Sequence, residues 1–230
     1  MNCASKLAEA LSMQSAFAGF YRYSFPSRSH KTNSSHKLAG KGIFGNSILS
    51  KWPITDAEAV PLPEIVEQYP KGCLKAVVSH PLGDVLCYNV HLEACSGIAG
   101  RVRQFETVLR HLRNHREPST FATVIAGDFN TLSHGLVRCS PVHSRDKYRC
   151  LRGFSRESEW WQEHVFSEGM EGEDFTDPFD KFHDVTLIHP ASRGKLDWLL
   201  FQGLSCVHKV SGHHPSLWLP LALCSSPAVN

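Results

Sequence analysis

The stretch Phe121–Asn130 joins a buried-strand pattern directly to a carboxylate and an amide. The apolar run Val124–Ala126 ends at Gly127, as is typical of a strand that is covered on both faces. Gly127 lets the backbone turn, and period-2 geometry then puts Asp128 and Asn130 on one side. The carboxyl edge of a strand is where α/β proteins hold their sites. The equal alternative is a turn in which both side chains only hydrogen-bond their own backbone.

Other polar residues lie in or beside apolar strands and one helix. His91 lies in the strand pattern that ends at Leu92, and Asp197 lies inside another apolar strand, where a buried carboxylate needs a partner. His111 and His115 have the i, i+4 spacing of metal ligands. Leu112 stands where a zinc protease needs a glutamate, so a solvated helix face is favoured over a zinc site. The fourteen histidines are scattered, which also disfavours a zinc hydrolase.

Hydrophobic periodicity predicts the elements that position these residues. Their order is helix, strand, hairpin, helix and strand, followed by two more strands. This order indicates an α/β (α+β) sandwich built partly on antiparallel pairs. The predicted elements are a helix over 2–18, a strand over 45–54, hairpin strands over 75–78 and 85–92, a helix over 101–117, a strand around Val124, and strands over 185–188 and 196–201.

Length and composition favour one globular domain over residues 1–230. The chain is 42% hydrophobic and 20% charged, with a formal net charge of +2, which neither requires nor excludes a nucleic-acid partner. Its eight cysteines form no C-x-x-C pair and are interpreted as free thiols of an intracellular protein, cytoplasmic or nuclear. No transmembrane segment or secretory signal is expected. We expect a soluble monomer.

Three regions lack clear periodicity. Residues 20–41 are predicted to form an exposed basic loop, residues 131–181 a long insertion, and residues 216–230 an irregular tail. The insertion contains Trp160 and Trp161 beside a run of acidic residues. The tryptophans are interpreted as core or loop anchors, in preference to a base-stacking or membrane-interface role.

Several of these motifs, in this order, resemble signatures of the endonuclease/exonuclease/phosphatase superfamily, whose members include deoxyribonuclease-I-like nucleases. The resemblance spans residues 2 to about 201, and its Gly-Asp-Phe-Asn element is the most specific part. Any one motif is a weak signal, whereas four in register are a strong one. The motifs are Asn46-Ser-Ile-Leu-Ser-Lys-Trp-Pro-Ile, Tyr88-Asn-Val-His-Leu, Val124-Ile-Ala-Gly-Asp-Phe-Asn, Lys195-Leu-Asp-Trp-Leu-Leu and Ser211-Gly-His.

The resemblance implies a four-layer α/β sandwich that hydrolyses phosphate esters with Mg²⁺ or Mn²⁺ and a water nucleophile. It assigns Asp128 to orient the attacking water, Asn130 to donate to the phosphate, and His91 to lie beside the scissile group. It assigns Asp197 to hold the imidazole of His213, and it makes Asp128 and Asn130 the candidate metal ligands. These types fit a phosphoryl transition state, which needs a cation, donors and a group that activates water.

Two features of the sequence depart from the family pattern. The family's metal-binding glutamate at the end of an early strand has no match, so the sandwich is expected to be incomplete at its N-terminus. Gly212 stands where the terminal motif has an aspartate, and it cannot ligate a metal. The alternative function is therefore a non-catalytic module that binds phosphate or nucleic acid. A nucleic acid, a phospholipid headgroup or a small phosphate ester is an equally consistent substrate.

Overall fold

A computed structural model describes residues 3–24, 41–65, 70–94, 98–131, 161–166, 174–180, 184, 186–189, 192–211 and 220–225. No helix among these residues is long and apolar enough to cross a lipid bilayer. The described elements are α1 (Cys3–Leu11), β1 (Gln14–Ser24), β2 (Lys41–Ser50), β3 (Ile54–Pro61), β4 (Gly72–His80), β5 (Gly83–His91), α2 (Ile98–His115), β6 (Thr120–Asp128), a π-helical turn (Trp161–Phe166), β7 (Leu187–His189), β8 (Ser192–Gly194), β9 (Asp197–Gln202), β10 (Ser205–Ser211) and β11 (Pro220–Ser225).

Five strands form the main sheet in the order β3-β4-β5-β6-β9. β5 and β6 run parallel, while the other neighbours run antiparallel. A parallel pair needs a crossover, which α2 supplies. The hairpin of β4 and β5, which closes at His80 and Gly83, confirms the predicted hairpin. Because β5 and β6 are parallel, both end at the same edge of the sheet, and antiparallel β9 begins there.

α2 covers one face of the main sheet. Its buried apolar residues recur at helical spacing, so they form one stripe toward the strands. Alternate residues of the strands meet this stripe, and the remaining alternate residues therefore face the other side. The core on this face includes Phe105, Val108, Leu109 and Leu112 from α2 and Leu86, Tyr88, Val90, Ile125 and Trp198 from the strands.

The antiparallel pair β1–β2 packs on the opposite face of the main sheet. Asn46 of β2 donates from Nδ2 to the carbonyl oxygens of Gly72 at 3.2 Å and Asn89 at 2.7 Å. Asn89 of β5 donates in return to the carbonyl oxygen of Ser47 at 2.8 Å. Buried amides are retained only where they are satisfied, so these bonds fix β2 over β4 and β5. α1 contacts β1 and β2 in turn.

The N-terminal region differs from the sequence prediction. The helix predicted over 2–18 ends at Leu11, where Ser12 has a left-handed φ of 52°, and β1 follows. The exposed loop predicted over 20–41 is wrong at both ends, because β1 and β2 occupy them, and residues 25–40 lie outside the described part. The two strands stabilise each other through a long-range ladder, which local propensity does not reveal.

Four further strands of the described part, β3, β8, β10 and β11, lie outside the sequence prediction. β3 is an edge strand that exposes most of its residues, so it lacks the apolar pattern of a buried strand. β11 lies within the tail predicted to be irregular over 216–230 and pairs antiparallel with β10. That prediction is therefore wrong for Pro220–Ser225. A six-residue apolar run does not by itself show whether a partner strand exists.

The long insertion predicted over 131–181 contains a π-helical turn that contributes to the core. Trp161 is fully buried in this turn, with its ring 5.8 Å from that of Phe105 and 6.0 Å from that of Phe129. The interpretation of this tryptophan as a core anchor is confirmed, and Trp160 lies outside the described residues. Phe129 directly follows Asp128, so this packing fixes the backbone of the candidate site.

Substitution Trp161→Ala should lower the free energy of unfolding by about 3–5 kcal/mol, because it removes a large ring from a closed aromatic cluster. The matched control is Trp52→Ala, since Trp52 is 42% exposed and its loss should cost about 1 kcal/mol or less. Urea denaturation followed by circular dichroism measures both. Equal losses for the two variants would contradict the assignment of Trp161 to the core.

Candidate active site

Three side chains predicted to do chemistry form one row across the main sheet. His91 ends β5, Asp128 ends β6 and Asp197 begins β9. The register pairs His91 with Asp128 and Asp128 with Asp197, so neighbouring Cβ atoms lie about 5 Å apart. Successive side chains of a strand alternate between its two faces. Tyr88 and Trp198 face α2, and each residue of the row is an odd number of positions from such a residue of its own strand. All three side chains therefore point to the face that carries β1–β2.

Gly127 makes this row possible. Its φ is +139°, and a Cβ added there would lie 2.0 Å from the carbonyl oxygen of Val90 on β5. No side chain fits at that distance, and L residues rarely adopt this φ. The two parallel strands thus approach closely at the point where His91 and Asp128 leave the sheet.

The turn after β6 is held by the two polar side chains of the motif. Asp128 Oδ1 accepts the backbone N–H of Asn130 at 2.8 Å, and Asn130 Nδ2 donates to the carbonyl oxygen of Leu92 at 2.8 Å. Asn130 adopts a left-handed φ of 52°, which asparagine tolerates. The turn interpretation is thus confirmed for Asp128, whereas Asn130 donates to a residue that follows β5 and not to its own turn. These bonds do not exhaust the two groups, because a carboxylate has a second oxygen and a carboxamide has a second N–H and an oxygen.

Burial and mutual repulsion act on the carboxylates of the row. Desolvation, and secondly the charge of Asp197, raise the pKa of Asp128 to about 6, against a lowering by the Asn130 N–H. Desolvation also raises the pKa of Asp197, while a hydrogen bond from the hydroxyl of Thr186 lowers it. The same Thr186 oxygen accepts the N–H groups of Leu196 and Asp197. The strand start that carries Asp197 is therefore rigidly held.

His91 is kept uncharged by its surroundings. Lys71 Nζ lies 3.3 Å from His91 Nε2, and an ammonium group can only donate, so Nε2 accepts and the ring proton is on Nδ1. Desolvation, and secondly the charge of Lys71, lower the pKa of His91 to about 4. The ring of Phe44 on β2 lies 5.3 Å from His91 and 5.6 Å from Lys71 Nζ. At neutral pH the positive charge here belongs to Lys71.

A second cation lies behind Asp128. Arg101, in the first turn of α2, is fully buried and donates to the carbonyl oxygen of Glu93 at 3.2 Å. The charges of Lys71 and Arg101 both lower the pKa of Asp128, although less than burial and Asp197 raise it. The row therefore combines two carboxylates, one neutral imidazole and two nearby cations.

Four of the five predicted site residues come together in the structure. His91, Asp128 and Asp197 form the row, and Asn130 lies in the turn behind it, whereas His213 lies outside the described residues. Sequence reasoning missed Lys71. The signal was available, because the first strand of an antiparallel hairpin begins at the edge where the second strand ends, and Lys71 directly precedes β4.

The donor atoms of the row suit the predicted Mg²⁺ or Mn²⁺. Carboxylate and amide oxygens are the ligands that these hard cations prefer, and the row supplies Asp128 and Asp197, with Asn130 behind it. The two adjacent carboxylates have raised pKa values, and a divalent cation would reduce the repulsion between their charges. The residues therefore fit such an ion.

His111 departs from its predicted place on a solvated helix face. Its side chain is only 14% exposed, and its Nδ1 lies 2.9 Å from the hydroxyl of Tyr88 on β5. That interpretation is wrong for His111, because α2 lies flat on the sheet and its last two turns still contact the strands. His115 is exposed, as predicted.

Substitution Asp128→Asn should stabilise the metal-free chain at neutral pH. Because the pKa of Asp128 is raised from 3.8 to about 6 on folding, the folded state loses stability as pH rises between these values. The variant removes that loss, so its free energy of unfolding should be about 1–3 kcal/mol higher. The asparagine side chain can still accept the N–H of Asn130. Urea denaturation in EDTA should show a gain that is small near pH 4 and constant above about pH 6.5.

Asp84→Asn is the matched control for this pH dependence. Asp84 lies at the opposite end of β5 from His91, so its substitution should leave the curve of stability against pH unchanged. If Asp128→Asn destabilised the chain at every pH, its carboxylate would be a structural group and not a strained one.

No protein-family model matches the sequence, and no curated protein matches it. Solved structures do match the fold. An endonuclease/exonuclease/phosphatase family protein from Leptotrichia buccalis C-1013-b superposes with a TM-score of 0.52 at 11% identity, over 89% of this chain and 67% of that one. The human Nocturnin catalytic domain, with a bound sulfate anion, gives 0.54 at 14% identity, over 94% and 71%. D. rerio TDP2, complexed with a single-stranded DNA product, gives 0.51 at 16% identity, over 89% and 71%.

At these identities the similarity establishes the fold, and the predicted α/β sandwich of deoxyribonuclease-I-like type is confirmed. The resemblance inferred from the Gly-Asp-Phe-Asn and accompanying motifs is borne out at that level. The chain has the mixed α/β fold of the endonuclease/exonuclease/phosphatase superfamily.

Proposed function

We propose that this chain is a divalent-metal-dependent hydrolase of phosphate esters that uses water as its nucleophile. The observation that carries the proposal is the row of His91, Asp128 and Asp197 at one edge of the sheet. The row combines oxygen ligands for a cation with a base and a neutral imidazole. Phosphoryl transfer needs these groups, because its transition state spreads negative charge over several oxygens.

Lys71 and Asn130 would bind the substrate phosphate. The Lys71 ammonium has three donors, of which one is directed at His91 Nε2, and the Asn130 amide has a second N–H beyond the one given to Leu92. The buried charge of Arg101 adds a positive potential from below the row. His91, neutral and donating from Nδ1, would lie beside the scissile group and stabilise its oxygen.

Asp128 would orient and deprotonate the attacking water. A general base works best when its pKa is near the working pH, and burial has brought the pKa of Asp128 to about 6. It is then mostly ionised at neutral pH and still basic enough to take a proton in the transition state. The hydrogen bond from the Asn130 N–H holds one carboxylate oxygen in place, so the other is aimed by a rigid turn.

Asp128 and Asn130 would hold Mg²⁺ or Mn²⁺ through their side-chain oxygens. The bound cation would supply charge stabilisation to the phosphoryl oxygens. Asp197, fixed by Thr186, would orient the imidazole of His213 as a carboxylate does in other hydrolases. The roles of His213 and of the cation remain predictions.

The substrate class follows from the same chemistry. The sulfate in the Nocturnin structure and the single-stranded DNA product in the TDP2 structure support an oxyanion of a phosphate ester as the recognised group. The net charge of +2 selects no class among nucleic acids, phospholipid headgroups and small esters. Binding to single-stranded DNA, RNA and anionic vesicles at two salt concentrations separates them, because polyanion binding falls steeply with salt.

A non-catalytic phosphate-binding module is the second candidate function. It is favoured by the hydrogen bonds that Asp128 and Asn130 already make to the backbone, since these bonds give both residues a structural role. Such a module would keep Lys71 to bind the anion, supported by the buried positive charge of Arg101, and would not need a base. It therefore predicts phosphate binding without turnover.

Substitution Asp128→Asn should lower kcat for bis(p-nitrophenyl) phosphate by about 100-fold or more, because it removes the base. The rate should require Mg²⁺ or Mn²⁺ and vanish in EDTA. Release of p-nitrophenolate measures the effect, and Asp84→Asn should retain the native rate. Equal rates for the native chain and Asp128→Asn would contradict the proposed hydrolase activity and favour the non-catalytic binding module.

Substitution Lys71→Met should raise KM for the same ester about 10-fold, because it removes the cation and keeps the aliphatic stem over Phe44. The pKa of His91 should also rise toward its ordinary value, since the charge of Lys71 lowers it. Steady-state kinetics and NMR titration of the imidazole test these two effects. Exposed Lys51 provides the control Lys51→Met, which should change neither. An unchanged KM would remove Lys71 from the phosphate site.

A further inference from the structure

Glu58, His111 and His115 form a second cluster of ligand-type side chains, on the other face of the main sheet. Glu58 lies on edge strand β3, and the two histidines lie one turn apart at the end of α2. One ligand atom from each residue lies within 4.8 Å of the others. The cross-strand row that holds Glu58 passes through Lys75, Tyr88 and Ile125. It is three residues, or about 10 Å, from the row of Asp128.

Each histidine of the cluster has one ring nitrogen held by a hydrogen bond. His115 Nδ1 lies 2.9 Å from the carbonyl oxygen of His111, which can only accept, so this nitrogen carries the proton and Nε2 carries the lone pair. His111 Nδ1 lies 2.9 Å from the Tyr88 hydroxyl, which can accept its proton. Hydrogen bonds of this kind from the outer nitrogen orient metal-ligating histidines and fix their tautomer.

The distances suit a small tetrahedral cation. Zn–N and Zn–O bonds of about 2.0–2.2 Å place neighbouring tetrahedral ligands about 3.4 Å apart. His111 Nε2 lies 3.5 Å from Glu58 Oε2. The imidazole rings of His111 and His115 stack at 3.9 Å with 7° between their planes, so their lone pairs lie in parallel planes and the His115 ring must turn for both to bind one ion. Glu58 and His115 are both exposed, so their side chains can rotate the remaining distance at little cost.

The charges around the cluster favour a cation. Lys75, whose charge acts on His111, is paired with Asp56 of β3, so its charge is largely compensated. The cluster also lies at the C-terminal end of α2, where the helix macrodipole is negative. Two imidazoles and one carboxylate are a ligand set for Zn²⁺ and its neighbours in the first transition series, and less so for Mg²⁺.

We infer that Glu58, His111 and His115 form a binding site for Zn²⁺ or a similar transition-metal cation that joins edge strand β3 to the end of α2. The fourth coordination position is taken by water, as in other sites with three protein ligands. The site is separate from the row of Asp128, and its binding does not depend on phosphate-ester hydrolysis. Sequence reasoning rejected zinc because it considered only the helix, whereas the third ligand comes from a strand more than fifty residues earlier.

Titration of the reduced 230-residue chain with Co²⁺ in excess Mg²⁺ tests the site. We expect one ion per chain with the visible absorption of tetrahedral Co²⁺, no thiolate charge-transfer band, and displacement by Zn²⁺. His115→Ala and Glu58→Gln should weaken Zn²⁺ binding at least 10-fold, and Tyr88→Phe should weaken it about 10-fold through the lost hydrogen bond to His111. Zn²⁺ should also raise the melting temperature of the native chain.

His208→Ala is the matched control, because His208 is exposed on β10 and has no place in the cluster. This variant should bind Zn²⁺ with native affinity. Both ligand residues to be replaced are exposed, so the metal-free variants should melt as the native chain does. Native affinity in His115→Ala and Glu58→Gln, or a spectrum carried by thiolate ligands, would overturn the site.

Discussion

The close approach of Gly127 to the carbonyl of Val90 is the constraint on which the candidate active site depends. A Cβ at position 127 would lie 2.0 Å from that oxygen, so any side chain would force β5 and β6 apart. Their parallel register places His91 opposite Asp128, and the antiparallel register of β9 then adds Asp197. One missing side chain thus allows three functional groups to share one row. The aromatic packing of Phe129 and Trp161 holds the turn that follows.

The row is electrostatically unfavourable in itself, and the rest of the fold compensates for it. Two carboxylates are buried side by side, and the pKa values of both are raised chiefly by desolvation. Groups shifted in this way cluster at functional sites because chemistry needs them near neutrality. The stability that they cost is supplied elsewhere, by the fully buried stripe of α2 and by the paired amides of Asn46 and Asn89.

The sequence was sufficient for the site residues that end local apolar runs. His91, Asp128 and Asp197 each lie beside residues whose alternation predicts a strand, and the hairpin and long helix follow from the same periodicity. It was insufficient wherever the position depends on a distant partner. Glu58 reaches α2 only because β3 extends the sheet, and β11 is a strand only because β10 lies beside it. Edge strands are also mostly polar, so they resemble loops when they are read alone.

α2 connects the two candidate sites and gives them opposite electrostatic preferences. As the crossover between parallel strands, it must begin at the edge where β5 ends and finish near the edge where β6 starts. Its positive end, with Arg101 in the first turn, therefore lies toward the row that is proposed to bind phosphate. Its negative end carries His111 and His115, about 15 Å further along the axis, where a cation is favoured. The anion site and the transition-metal site therefore follow from one topological feature. In a βαβ unit with the two sites exchanged, the helix dipole would disfavour the bound ion at both ends of the helix.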